Sequence, residues 1–236
     1  SRNSEITKST ENIEEGFIPV TGGKVWYKIV GKNNKGIPLL VLHGGPGASH
    51  SYLQPLEQLA EERPVIFYDQ LGCGNSERPP DTSLWTLARF VEELQQVRNS
   101  LKLDQVHILG QSWGSSLAVE YLLSKNPQGI KSLILSGPLL SSSRWTEDQR
   151  NYIEQLPEKT KNTILQYEQT GEYDSPEYQN AMMEFYQKHV CRLENWPEYL
   201  NRAFSELNLA QYEYMWGPSE FTVTGSLKSF ERVDQL

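Results

Sequence analysis

Gly110-Gln111-Ser112-Trp113-Gly114-Ser115 stands between an apolar run, Val106-His107-Ile108-Leu109, and a stretch with helical spacing, Leu117-Ala118-Tyr121-Leu122. Strand, Gly-x-Ser-x-Gly turn and helix, in that order, form the setting in which a serine is exposed at a sharp bend and acts as a nucleophile. The turn needs its glycines because the backbone bends tightly and strand and helix approach closely there. A five-residue pattern recurs by chance, whereas these flanks are what the mechanism requires. Ser112 is therefore read as a nucleophile.

Outward from this turn, strands and helices alternate. Phe17 to Val20 and Lys24 to Val30 read as a hairpin joined at Thr21-Gly22-Gly23, after a polar stretch over residues 1 to 15. Pro38-Leu39-Leu40-Val41-Leu42 and Val65-Ile66-Phe67-Tyr68 are continuous apolar runs, as expected of strands covered on both faces. Leu53, Leu56, Leu59 and Ala60 recur at helical spacing between them, and Leu87, Phe90, Val91, Leu94, Val97 and Leu101 mark a further helix. Leu133-Ile134-Leu135 supplies another strand. This alternation predicts an α/β protein with a mostly parallel, doubly wound sheet. After Ser136-Gly137-Pro138 the texture changes. From about Trp145 to Trp216 the chain is polar, Tyr- and Glu-rich and helical in pattern, broken by Pro157, Gly171 and Pro176. An all-helical insertion after a sheet strand is most simply a cap. Its many aromatic residues are expected chiefly to pack its helices together, with a few near Tyr212 to Trp216 reaching the site.

A serine hydroxyl needs a base to take its proton and donors to hold the oxyanion that forms. In this setting one donor is the backbone N–H after the nucleophile, here Trp113, and the other comes from the loop after an early strand. His43-Gly44-Gly45-Pro46-Gly47 follows the run ending at Leu42, and its glycines leave N–H groups unobstructed. Gly45 is the favoured donor and Gly44 the alternative. Asp69-Gln70-Leu71-Gly72-Cys73-Gly74-Asn75-Ser76 is a third marker. Asp69 precedes the nucleophile, whereas the acid partner follows it in this chain order, so Asp69 is expected to brace loops beneath the site.

With HGGPG, DQLGCGNS, GQSWGS and the segment Met215-Trp216-Gly217-Pro218-Ser219-Glu220-Phe221 in order, the chain resembles the proline iminopeptidase family, including the tricorn-interacting aminopeptidases. The likeness runs from about Phe17 onward. It implies an α/β-hydrolase fold with a helical cap, divided as a polar N-terminal segment (1–15), a core (16–137), the cap (138–219) and a return to the core (220–236). It further implies a serine aminopeptidase that releases one N-terminal residue, often proline, from short peptides through an acyl-enzyme on Ser112. Glu220, in the GPSEF motif, matches a cap-side glutamate that holds the substrate's protonated α-amine. A lone Glu is ordinarily solvated; the motif marks this one.

The acid and the histidine that should follow Ser112 are not evident. His43 lies in the oxyanion loop, His50 begins the next helix and His107 sits inside the nucleophile strand, expected to be committed to packing. Only His189 follows Ser112, in a cap helix, where a structural role is expected. In the family, two further strands after the cap deliver the aspartate and the histidine, so both are expected beyond Leu236, on a C-terminal piece or a second chain. Without them the serine would lack most of its catalytic power, and the core would lack its last strands.

Composition narrows the partners. A formal charge of −8 with no Lys/Arg-rich stretch disfavours nucleic acid. No apolar run approaches a membrane span, and no secretory pattern precedes the first strand, so a cytoplasmic protein is expected. Cys73 and Cys191 lack metal-ligand spacing and read as free thiols. No metal or organic cofactor is indicated. The competing readings are an esterase or amidase of the same fold, and a non-catalytic relative that serves as a binding module.

Overall fold

The computed structural model describes residues 12–236. Six strands form one sheet: β1 (Ile13–Val20), β2 (Gly23–Val30), β3 (Leu39–Leu42), β4 (Val65–Tyr68), β5 (Val106–Gln111) and β6 (Ile130–Ser136). Their spatial order is β1-β2-β4-β3-β5-β6. β1 and β2 form the expected hairpin, and β2 runs antiparallel to β4. The pairs β3/β4, β3/β5 and β5/β6 are parallel. β1 begins at Ile13, so residues 13–15, assigned to the polar N-terminal segment, are strand. Ile13, Glu14 and Glu15 pair with Val30, Ile29 and Lys28, and this ladder overrides the polar character of the two glutamates. Residues 1–11 of that segment lie outside the described residues.

The four-residue runs of β3 and β4 are buried at every position, which is why they carry no alternation. On one face Leu39, Val41, Val65 and Phe67 pack with Leu53, Leu56 and Ala60. The last three lie on the segment expected to be helical, which is a 3-10 helix from His50 to Glu61 with Pro55 inside it. Helix α1 (Leu87–Ser100) buries Phe90, Val91, Leu94 and Val97 and is capped by Thr86, whose hydroxyl accepts from Arg89 N–H. Helix α2 (Trp113–Lys125) follows β5 directly.

The remaining helices are α3 (Ser142–Glu154), α4 (Glu158–Thr170), α5 (Pro176–His189), α6 (Glu198–Ser205) and α7 (Leu209–Met215). The chain divides into two compact units, residues up to Leu140 with Tyr199–Met215, and Ser141–Glu198 with Trp216–Leu236. This division departs from the sequence expectation. Residues 199–215, assigned to the cap, cluster with the sheet unit, and 220–236, assigned to a return to the core, cluster with the helical unit. The helical unit has its own core of Ile153, Leu156, Ile164, Tyr178, Phe185, Tyr186 and Phe221, flanked by Tyr167, Tyr173 and Trp196. Tyr167, Tyr173, Tyr178, Phe185, Tyr186 and Trp196 thus do pack the helices of this unit together. Among the described residues, no helix is long and apolar enough to cross a membrane.

The junction of β5 and α2 leaves no space for a Cβ. One added at Gly114 would overlap the Leu42 carbonyl oxygen and crowd that of His43, and one at Gly110 would overlap the Gly114 carbonyl. Gly171, by contrast, closes α4 with φ +73° and has nothing near it. We predict that Gly114→Ala costs about 3 kcal/mol or more, as an overpacked site does. Gly171→Ala should cost only about 1 kcal/mol, from its left-handed backbone. Urea denaturation compares the two; equal losses would mean that β3 and α2 do not meet so closely.

Candidate active site

Register brings the two marked loops together. Leu42, the last residue of β3, pairs with Gly110 of β5, so the loops that follow leave adjacent strand ends. Ser112 sits at the junction with φ 53° and ψ −119°, a conformation that costs a non-glycine residue about 1–3 kcal/mol. Its N–H donates to Ser136 O (3.0 Å) and its carbonyl accepts from Ser115 N–H (2.8 Å). The side chain does not cap α2, and among the described residues nothing is hydrogen bonded to its Oγ. Ser112 is half-buried, so this hydroxyl is not lost in packing. Trp113 is the first residue of α2, where a backbone N–H has no intrahelical acceptor.

The two candidate donors of the preceding loop differ. Gly44 N–H already donates to Tyr52 Oη (2.6 Å), and that hydroxyl in turn donates to Gln111 Oε1. Gly45 N–H has no such partner among the described residues and is half-buried. His43 is fully buried. Its Nε2 accepts from Gln70 N–H (3.0 Å), which leaves the proton on Nδ1, 2.8 Å from the Gly44 carbonyl. Burial holds this imidazole below its ordinary pKa, outweighing the nearby Asp69 charge.

Asp69 takes the bracing position. Its Oδ1 accepts from His50 N–H (2.8 Å) and lies 2.8 Å from His50 Nδ1, while Oδ2 accepts from Asn75 N–H (2.9 Å). Burial pushes the carboxyl upward, but these hydrogen bonds and the neighbouring imidazoles outweigh it, and the net direction is down. A second buried carboxylate, Glu93, carries no sequence motif. It pairs with Arg89 (2.7 Å) and accepts from Leu71 N–H, holding the next residues of the same loop. Burial raises its pKa against the pull of Arg89. The helix α7 segment is fastened here too, which the sequence does not announce. Asn208 N–H donates to Gly47 O (2.9 Å) and Asn208 Nδ2 to Gly72 O (2.9 Å). Gln211 Nε2 donates to Leu71 O (3.0 Å). Both cysteines are free; Cys73 is buried, and burial drives its thiol pKa well up, so it is an inert thiol.

The other histidines are engaged elsewhere. His107, expected to be committed to packing, is half-buried and its Nδ1 lies 2.7 Å from Ser132 Oγ on β6. Strand pairing places the two side chains on one face, and a hydrogen bond rather than apolar contact satisfies the ring. In the helical unit His189 stacks on Tyr152 with ring centres 4.5 Å apart. In that unit Glu220 is half-buried on a short loop. Its N–H donates to Tyr186 Oη (3.0 Å) and its carbonyl accepts from Trp145 Nε1 (2.7 Å). The loop closes on Trp216 O, which accepts from Thr224 and Gly225 N–H. Of the aromatics near α7, Tyr214 stands edge-on to Trp85 at 5.5 Å and Trp216 to Trp145 at 6.0 Å. Among the described residues no cluster of His, Cys, Asp and Glu is placed to hold a metal.

The linkage signs separate these groups. His43 is held neutral, so below pH 6.5 the unfolded chain takes up a proton that the folded one does not. Stability therefore falls as pH drops from 6.5 toward the folded value. Asp69 acts lower, losing its contribution as pH falls from 3.8 through its depressed value. Glu93 acts oppositely, because above pH 4.5 the fold retains a proton that the unfolded chain has lost. We predict that His43→Gln lowers stability at pH 7 and flattens its decline between pH 6.5 and 5, measured as the urea midpoint. An unchanged decline would place the titrating group elsewhere.

Comparison with known proteins agrees with this architecture. Residues 37–236 match the family model described as the alpha/beta hydrolase fold. A proline iminopeptidase of Heyndrickxia coagulans is 52% identical over 223 residues, covering 94% of this chain and 77% of the relative. That of Lactobacillus delbrueckii subsp. lactis is 44% identical over 229 residues, covering 95% and 78%. The crystal structure of the Mycobacterium smegmatis proline iminopeptidase superposes with a TM-score of 0.85 at 34% identity, covering 94% of this chain and 77% of that one. The crystal structure of VinJ gives 0.89 at 33% identity over the same shares. The chain thus belongs to the proline iminopeptidase family of α/β-hydrolases, whose members support a hydrolase and peptidase function for it.

Proposed function

We propose that the chain is a serine aminopeptidase that releases a single N-terminal residue, proline among them, from short peptides. The observation that carries this reading is the environment of Ser112. A strained backbone presents a hydroxyl with no hydrogen-bond partner among the described residues. The unpartnered Gly45 N–H lies on the adjacent loop and the Trp113 N–H follows directly. Ser112 Oγ attacks the carbonyl carbon of the N-terminal residue, and the oxyanion is received by those two N–H groups. Collapse expels the rest of the peptide as an amine and leaves an acyl-enzyme ester, which water then hydrolyses. Glu220 is assigned the substrate's ammonium group, a charge-assisted contact that fixes which residue is first.

The general base is proposed to be an imidazole outside these 236 residues, with its carboxylate partner. The four histidines present are committed: His43 to Gln70 and Gly44, His50 to Asp69, His107 to Ser132, and His189 to Tyr152 and Phe185. Such a base could arrive on a following segment or on a second chain. Short peptides with a free N-terminus are the proposed partners, without nucleic acid or membrane.

A chimera carrying, after Leu236, the sequence of the Heyndrickxia coagulans relative that follows its counterpart of Leu236 tests this. It should hydrolyse L-proline 4-nitroanilide, and Ser112→Ala should lower the rate by about 10³-fold or more. Glu220→Ala should raise KM for that substrate and leave hydrolysis of an acetyl ester unchanged. Turnover of the ester with none of the anilide would make it an esterase. Turnover of neither by the folded chimera would leave a binding module.

A further inference from the structure

Resting on the serine reading above, we infer that Gln70 is the positioning residue that holds both oxyanion donors in one geometry. Its side-chain amide spans the two loops. Gln70 Nε2 donates to His43 O (2.9 Å) and Gln70 Oε1 accepts from Trp113 Nε1 (2.9 Å). Its backbone N–H donates to His43 Nε2 (3.0 Å). Gln70, His43 and Trp113 are each no more than 1% exposed, so no water competes for these bonds.

The consequences follow peptide by peptide. The 43–44 peptide is gripped at both ends, at its carbonyl by Gln70 and at its N–H by Tyr52. Because the Gln70 N–H can only donate, it fixes the neutral His43 ring with its proton on Nδ1. That proton points to the Gly44 carbonyl at 2.8 Å, and this carbonyl shares a peptide plane with the Gly45 N–H. A hydrogen bond accepted at one end of a peptide strengthens the donor at the other. Gln70 thus orients and polarises the Gly45 donor through His43. Through the indole it also anchors Trp113, whose own N–H is the second donor, against drift of the first turn of α2. Phe90 packs edge-on to the same indole at 5.7 Å and closes the remaining side. Gln70 thus acts through His43 and Trp113 and is not itself an oxyanion donor.

The test uses the chimera described under Proposed function as the parent, because a base supplied after Leu236 is what makes turnover depend on Ser112. Ser112-dependent hydrolysis of an L-proline phenyl ester is followed in the parent, Ser112→Ala, Gln70→Leu and Gln70→Glu. A parent no faster than Ser112→Ala overturns the serine reading itself, and this inference with it. With the parent active, Gln70→Leu should lower kcat by about tenfold or more and leave KM within roughly twofold, as expected for an interaction felt only in the transition state. Unchanged kcat overturns the inference, as does a loss that merely tracks the folded fraction seen by circular dichroism.

Gln70→Glu decides the matter even where the leucine variant does not fold. A protonated carboxyl reproduces the amide, donating to His43 O and accepting from Trp113, whereas the carboxylate opposes the carbonyl. The ratio of its rate to that of the parent should therefore rise about fivefold or more between pH 9 and pH 6 as the buried group gains a proton. A ratio flat with pH overturns the inference.

Discussion

Two backbones meet at Gly114, and the rest of the site is arranged around that meeting. The first turn of α2 lies against the carbonyls of Leu42 and His43 at a distance that admits no side chain. This single approach sets the end of β3, the bend at Ser112 and the start of α2 in one small volume. The positive φ of Ser112 is its backbone cost. The parallel pairing of β5 with β3, which is apolar and buried along its whole length, supplies the stability against which such strain is held.

Beneath that meeting the polar groups are organised by burial rather than by surface charge. Asp69 and Glu93 divide the work: one gathers the N–H groups of His50 and Asn75, the other receives the Leu71 N–H and pairs with Arg89. Leaving either without partners would cost far more than an exposed ion pair contributes. Their opposite pKa directions show the difference, since hydrogen bonds outweigh desolvation at Asp69 and desolvation wins at Glu93.

What could be read from the sequence was local. The Gly-x-Ser-x-Gly turn, its strand and helix, and the glycine loop after β3 each lie within a few residues, so pattern and geometry coincide. The distant partnerships were hidden. Gln70 lay inside a recognised motif, yet its partners His43 and Trp113 are 27 and 43 positions away, and nothing in composition links them. Asn208 and Gln211 fall in the stretch whose helical pattern reads as a cap, although their hydrogen bonds run to Gly47, Gly72 and Leu71. The ladder of Ile13 to Glu15 was missed because strand pairing, not hydrophobicity, orders them. The hydrogen bond that occupies the Gly44 N–H, to the hydroxyl of Tyr52, is likewise absent from any motif.

The path of the chain has a consequence for any attempt to exchange parts of it. Residues 199–215 leave the helical unit, join the sheet unit and then give way again at Trp216. An excision from 138 to 219 would carry off Asn208, and with it the staple on two loops of the remaining piece. Modular swapping between relatives would therefore succeed only with junctions that leave this returning helix with its host, so that inheritance here follows spatial neighbours and not contiguous text.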